Sequence, residues 1–155
     1  MEQKTQVVAE DGKQDVVITR EFDLPLELLF RAHVEPGIIE QWMGTKVLKL
    51  ENKKHGSWQF EKKDDQGKVL FEANGVIHEF IPNKKITRTF EMPNVPFGVQ
   101  LELYEFEKLT DDTSKLTIHV LYESGAQRDQ VLQFGMKPGI NMAHNRLQEV
   151  ANTLK

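Results

Sequence analysis

The sequence predicts an α+β fold in which an antiparallel sheet is covered by one long C-terminal helix. Three observations point there. Residues 46–122 read as consecutive alternating segments separated by short turn signals, two short helical patterns precede them, and a helical pattern runs from 126 to 154. A sheet with one apolar face must cover it, and the last helix is the only element long enough to do so.

The chain opens with TQVVAE and DVVITREF on either side of DGKQ, so residues 1–14 are expected to form an arm or a hairpin leading into a first strand. In DLPLELLFRAHVEPGIIEQWMG, Asp23 is placed to cap a helix and Pro25 to begin it, with Leu26, Leu29 and Phe30 as its apolar stripe. Glu35-Pro36 ends that helix and starts a shorter one, which runs to Trp42 and stops at Gly44. Strands are then expected over roughly 46–54, 57–63, 68–81, 84–92, 97–109 and 114–122. The breaks KHG, DDQG, PNK, PNVP and TDDTS are credible turns. Such short connections favour a meander over crossovers. The whole chain, 1–155, reads as a single domain.

Composition narrows the function classes. The net charge is −4 and no basic cluster exceeds the short NKK runs at 52–54 and 83–85, which argues against nucleic acid. There is no cysteine, which excludes disulfides, thiol catalysis and thiolate metal sites. No stretch approaches the ~18 apolar residues of a membrane span, and the N-terminus lacks the apolar core of a signal peptide. A cytoplasmic protein without membrane insertion is expected. The five histidines, His33, His55, His78, His119 and His144, form no metal-binding spacing and read mostly as surface residues. No serine sits in a nucleophile elbow and no glycine-rich loop opens a helix after a strand. Neither a metal, a cofactor nor a catalytic residue is predicted.

The last helical segment holds an anomaly. FGMKPGINM places Gly135, Pro138 and Gly139 where glycine costs about 1 kcal/mol relative to alanine and an interior proline roughly 3. Turned at 100° per residue as one helix, Gly135, Gly139, Met136, Met142 and Arg146 fall in the same sector as Leu132, Ala143, Leu147, Val150 and Leu154. That sector would face the sheet. Two readings stay open: the glycines admit close packing against Trp58 or Phe60, or they leave a void lined by adaptable methionines. Pro138 is alternatively the first position of a new helical segment, with a bend before it.

ITREFDLPLELLFRAHVEPGIIEQWMG, GSWQF, GVIHEFIPNKKITRTF and GMKPGINMAHNRL, in that order, resemble the blocks of the family of activators of the Hsp90 ATPase, within the START/birch-pollen-allergen (SRPBCC) superfamily. The matching positions include Thr19-Arg20, Phe22, Pro25, Phe30-Arg31-Ala32, Pro36, Trp42 and Gly44, and the resemblance covers about residues 5–154. It implies a helix-grip fold: a curved antiparallel seven-stranded sheet around a long C-terminal helix, with two short helices after the first strand. It also implies an elongated apolar cavity for lipids, polyketides or other hydrophobic molecules, and so favours the void. The chain departs from the family's WWGP block with Met43 and Thr45, and carries Leu24 where alanine is usual, so the cavity mouth is expected to differ. The co-chaperone that names the family carries a further N-terminal domain, for which these 155 residues leave no room. A chaperone-interacting or stress-response role is therefore the lesser alternative.

These readings predict a binding protein for a hydrophobic small molecule. The expected walls are Trp42, Trp58, Phe60, Phe80, Phe90, Leu101, Leu103, Ile118, Val120, Met136 and Met142, with Gly135 and Gly139 supplying room. Arg88, His78 or Arg146 would orient a polar end of the ligand, and an inward arginine would need a carboxylate such as Glu72 or Glu102. The alternatives are a cyclase, dehydratase or hydrolase on the same scaffold, or an interaction protein with a solid core. Phe134 is the candidate for a homodimer surface.

Overall fold

The structure, a computed structural model, describes residues 4–155. Part of the expected N-terminal arm, residues 1–3, therefore lies outside the described residues. The rest of it forms a hairpin: β1 (Gln6–Val8) pairs antiparallel with β2 (Asp15–Phe22), Val7 opposite Ile18. Helices α1 (Leu26–Val34) and α2 (Pro36–Met43) follow. Asp23 caps nothing here: Pro25 itself occupies the N-cap of α1, while Pro36 is the first residue of α2, where its missing N–H is harmless.

Six further strands complete the sheet: β3 (Lys46–Leu50), β4 (Ser57–Lys63), β5 (Val69–Ile81), β6 (Lys85–Glu91), β7 (Val99–Lys108) and β8 (Ser114–Leu121). They form one antiparallel sheet in the order β1-β2-β8-β7-β6-β5-β4-β3. Among the described residues it has eight strands rather than the expected seven, because the short β1 adds an edge beside β2. Every sequential connection from β3 to β8 is a hairpin, and the single long-range join is β2 to β8, which brings the first long strand against the last.

The C-terminal segment is two helices rather than one. α3 (Gly125–Gln133) starts at Ser124, whose side chain accepts from Gln127 N, and α4 (Met136–Asn152) carries the chain to its end. Between them Gly135 is left-handed at φ +94, which a side chain tolerates poorly. Pro138 lies in the first turn of α4, where no intrahelical bond is lost. Arg128 of α3 is buried and donates from Nη1 to the carbonyls of Glu10 and Asp15, fixing α3 to the start of β2.

α4 packs chiefly on α2, and to a smaller extent on α1, α3 and β1. Its buried residues are His144, Leu147 and Ala151. Burying a leucine such as Leu147 is worth about 1.5–3 kcal/mol. The core beneath runs through Phe22, Leu29, Phe30, Ile39, Trp58 and Leu116. Because the helix is carried by α2 and the β1 edge, the middle of the sheet is left under an incompletely filled space.

Candidate functional site: a cavity between α4 and the sheet

That space is a cavity of about 370 Å³. Ile18 of β2 and Ile118 and Val120 of β8 form one wall, and Phe60, Phe71, Ile86 and Phe90 the floor. Ile39, Trp42 and Met43 of α2 close one side, and Met136, Ile140, Ala143 and His144 of α4 lie over it. An adaptable methionine and an alanine on the covering helix leave the space open.

A polar cluster interrupts this apolar surface. Arg88 of β6 and Glu102 of β7 are directly paired across the two strands, and Arg88 Nε donates to Glu102 Oε1 at 2.8 Å. Arg88 Nη2 donates to the Tyr104 hydroxyl at 3.0 Å, and Gln100 Nε2 donates to Glu102 Oε2 at 2.9 Å. The guanidinium carbon also lies 4.4 Å from the Trp58 ring centroid and 5.0 Å from that of Tyr104. Burial works to lower the Arg88 pKa, but Tyr104 and Glu102 outweigh it and the guanidinium stays above its ordinary value. Burial pushes the Tyr104 phenol up, against the pull of Arg88, so it is neutral.

Two histidines also line the cavity. His33 Nδ1 lies 2.9 Å from the Leu29 carbonyl, which only accepts, so this nitrogen carries the proton and Nε2 is left as an acceptor. Burial lowers its pKa to about 4, with the Arg88 charge acting in the same direction against the raising effect of the Leu29 bond. His144 Nδ1 lies 2.8 Å from Thr5 Oγ1, which itself accepts from Arg20 Nη1 at 3.3 Å. The Thr5 oxygen keeps a second acceptor site beside its own proton, so its bond to Nδ1 forms with either tautomer of His144. Burial, then the nearby His33 and Arg20, bring its pKa down to about 3. Both imidazoles are neutral at physiological pH.

Of the residues expected at the site, the cavity brings together Trp42, Phe60, Arg88, Phe90, Ile118, Val120 and Met136. Others are placed elsewhere. Trp58 is in the core behind Arg88, donating from Nε1 to the Thr89 carbonyl, and Phe80 packs on Phe30 at 5.6 Å between centroids. His78 is exposed, because the register of β5 against β6 shifts between Ile77 and Glu79 and turns Ile77 inward. Leu101 and Leu103 lie on the outer face. The cross-strand partners of Ile118 and Val120 are Tyr104 and Glu102, so the even-numbered residues of β7 face in.

The helical positions fail for one reason. Gly135 breaks the helix, so angles measured from Val131 do not carry into α4. Met142 is 70 % exposed, Gly139 is exposed with open space where a Cβ would be, and Arg146 reaches across the surface to the Gln41 carbonyl. A Cβ on Gly135 would also meet nothing, and neither glycine is among the residues that line the cavity. The interior roles of His33, His144, Gln100 and Tyr104 were missed, and Glu102 was expected only as one of two candidate partners for an inward arginine. The strict alternation of β8 was the signal that, with the β7 register, would have found Glu102 and Tyr104.

In class, a curved antiparallel sheet with a C-terminal helix over an internal cavity is the helix-grip arrangement. The sequence pattern described as Activator of Hsp90 ATPase homolog 1-like protein matches residues 23–152, and the chain belongs to that family. It is similar in structure to a Rhodobacter sphaeroides protein (TM-score 0.85, 17% identity, 97% of this chain and 99% of that one). It is also similar to protein Ms6760 from Mycobacterium smegmatis (0.82, 19%, 95% and 96%) and to an Arthrobacter aurescens protein (0.84, 16%, 96% and 91%). At these identities the likeness speaks for the fold alone. No curated protein matches the chain in sequence. Among the described residues, no helix is long and apolar enough to cross a membrane.

Proposed function

We propose that this protein binds a hydrophobic small molecule in the cavity between α4 and the sheet. The observation that carries the reading is the cavity itself: about 370 Å³ of mostly apolar space with a few convergent polar groups. That size and lining are typical of small-molecule sites, whereas natural cores are close-packed. The family and fold are compatible with such a role.

The test is retention and uptake. Trp42 lines the cavity, so its fluorescence reports entry of a ligand. Wild-type protein should take up N-phenylnaphthylamine and retain a hydrophobic compound detectable by mass spectrometry of an organic extract. Ala143→Phe, which grows a ring into the space, should fold and lose both. If the wild type neither retains a compound nor binds the dye, or if the folded Ala143→Phe protein binds it equally well, the reading fails.

A further inference from the structure

The reading of the cavity as a ligand site can be taken further, to the charge and polar group of what it holds. We infer that the cavity selects a neutral, hydroxyl-bearing apolar molecule and discriminates against the corresponding carboxylate.

Charge comes first. Arg88 is the cation of the cavity interior, and Glu102 already neutralises it at 2.8 Å. Their side chains are 16% and 8% exposed, so the pair is shielded from water. The second oxygen of Glu102 is held by Gln100, and Tyr104 takes a further proton of Arg88. A ligand carboxylate entering here would meet Glu102 as well as Arg88, and it would be stripped of water for an attraction already spent. His33 and His144 are neutral and bring no compensating charge. Lys62 also borders the cavity, but it is exposed, and a solvated lysine contributes little to binding an anion.

The unsatisfied polar atoms describe the group that does fit. His33 Nε2 is an acceptor with no hydrogen bond to any described residue, its Nδ1 being used on Leu29. Arg88 Nη1 has none either, since Nε and Nη2 make the bonds to Glu102 and Tyr104. His33 and Arg88 both contact the Tyr104 ring, which places the acceptor and the donor around one side chain. Thr45, 9% exposed, borders the same cavity, but its Oγ1 is wholly buried and faces away from a ligand's reach. A polar atom that borders an apolar cavity without a protein partner is open to a ligand that supplies one. A hydroxyl both donates and accepts, so it can serve His33 and Arg88 together. A carboxylate offers His33 no proton.

The experiment is a calorimetric titration with a matched series at neutral pH: n-decanol, methyl decanoate and decanoate. Decanol should bind about tenfold or more tightly than decanoate, with the ester between them. His33→Phe should remove the preference for decanol over the ester. Glu102→Gln, which leaves Arg88 without its counter-charge, should raise decanoate affinity about tenfold or more. Should decanoate bind wild-type protein as tightly as decanol, the selectivity is overturned while the cavity remains a ligand site. Should none of the three bind, and N-phenylnaphthylamine also fail, the ligand-binding reading falls and the selectivity with it. The wild-type comparison decides even where a variant does not fold.

Discussion

Arg88 and Glu102 face each other across β6 and β7, joined at 2.8 Å with the Trp58 ring lying under the guanidinium. A buried pair of this kind is strongly coupled, because either charge alone would be stranded in apolar surroundings.

Glu102→Leu is therefore expected to destabilise the fold by about 3–5 kcal/mol, the usual result of removing one partner of a buried pair. The double variant Arg88→Met/Glu102→Leu should cost far less than the sum of the single changes. Urea denaturation of the four proteins in the cycle measures the coupling. Additive losses would mean that the two charges do not depend on each other.

Gly135 and Gly139 should respond in opposite directions to alanine. Gly135 is left-handed at φ +94, where a Cβ is strained by about 1–2 kcal/mol whatever space surrounds it. Gly139 sits in helical backbone with open space around it, so Gly139→Ala should stabilise by about 0.5–1 kcal/mol. Thermal melts of both variants check the sign. The contrast also shows why the segment was only half legible in the sequence. The glycines announced that the helix was interrupted, but not that one of them broke it and the other lay on its open side. A wheel drawn through a break shifts the face assigned to later residues, which is how Met142 and Arg146 came to be expected inside, while Met136 and Leu147 kept their inward side.

Acid should weaken the fold through its buried histidines. His144 has a folded pKa of about 3 and an unfolded value near 6.5, so between these the unfolded chain holds a proton that the folded chain does not. Stability is then full above about pH 6.5 and falls as pH drops, by up to about 1.4 kcal/mol per unit for this group. His33 adds loss of the same sign down to about pH 4. Urea midpoints at pH 7 and pH 5 should show the loss, and His144→Gln should flatten the slope. A flat profile in the wild type would show that these imidazoles are not held neutral.

Gly75 of β5 sits opposite Trp58 of β4, and its missing side chain lets the indole reach over β5 to the Thr89 carbonyl of β6 at 3.2 Å. A Cβ at Gly75 would overlap that carbonyl and crowd Trp58 Nε1. Gly75→Ala should cost at least about 1–3 kcal/mol, with a red shift of tryptophan emission as the ring is displaced. Wild-type stability and emission in this variant would mean that the strand adjusts freely.

Strand order and the two leading helices were largely legible, because alternation and Gly/Pro/Asn punctuation are local signals. The polar wall of the cavity was not. In QLELYEF the apolar leucines point out and Gln100, Glu102 and Tyr104 point in, the reverse of what hydropathy suggests. Only pairing to the regular face of β8 settles which way that strand is turned, and pairing is a property of the assembled sheet. The Arg88–Glu102 partnership was anticipated as one of two choices and needed the same register to decide it.

The left-handed residue between α3 and α4 also separates the two helices in phase. In an uninterrupted helix, one residue inserted near Ala126 would rotate everything downstream by about 100° and swing His144 and Leu147 out of the interior. Here Gly135 can absorb that rotation before α4 begins, and α4 is held in register chiefly by α2. The segment that covers the cavity is thereby insulated from length changes in the segment that anchors the N-terminal hairpin.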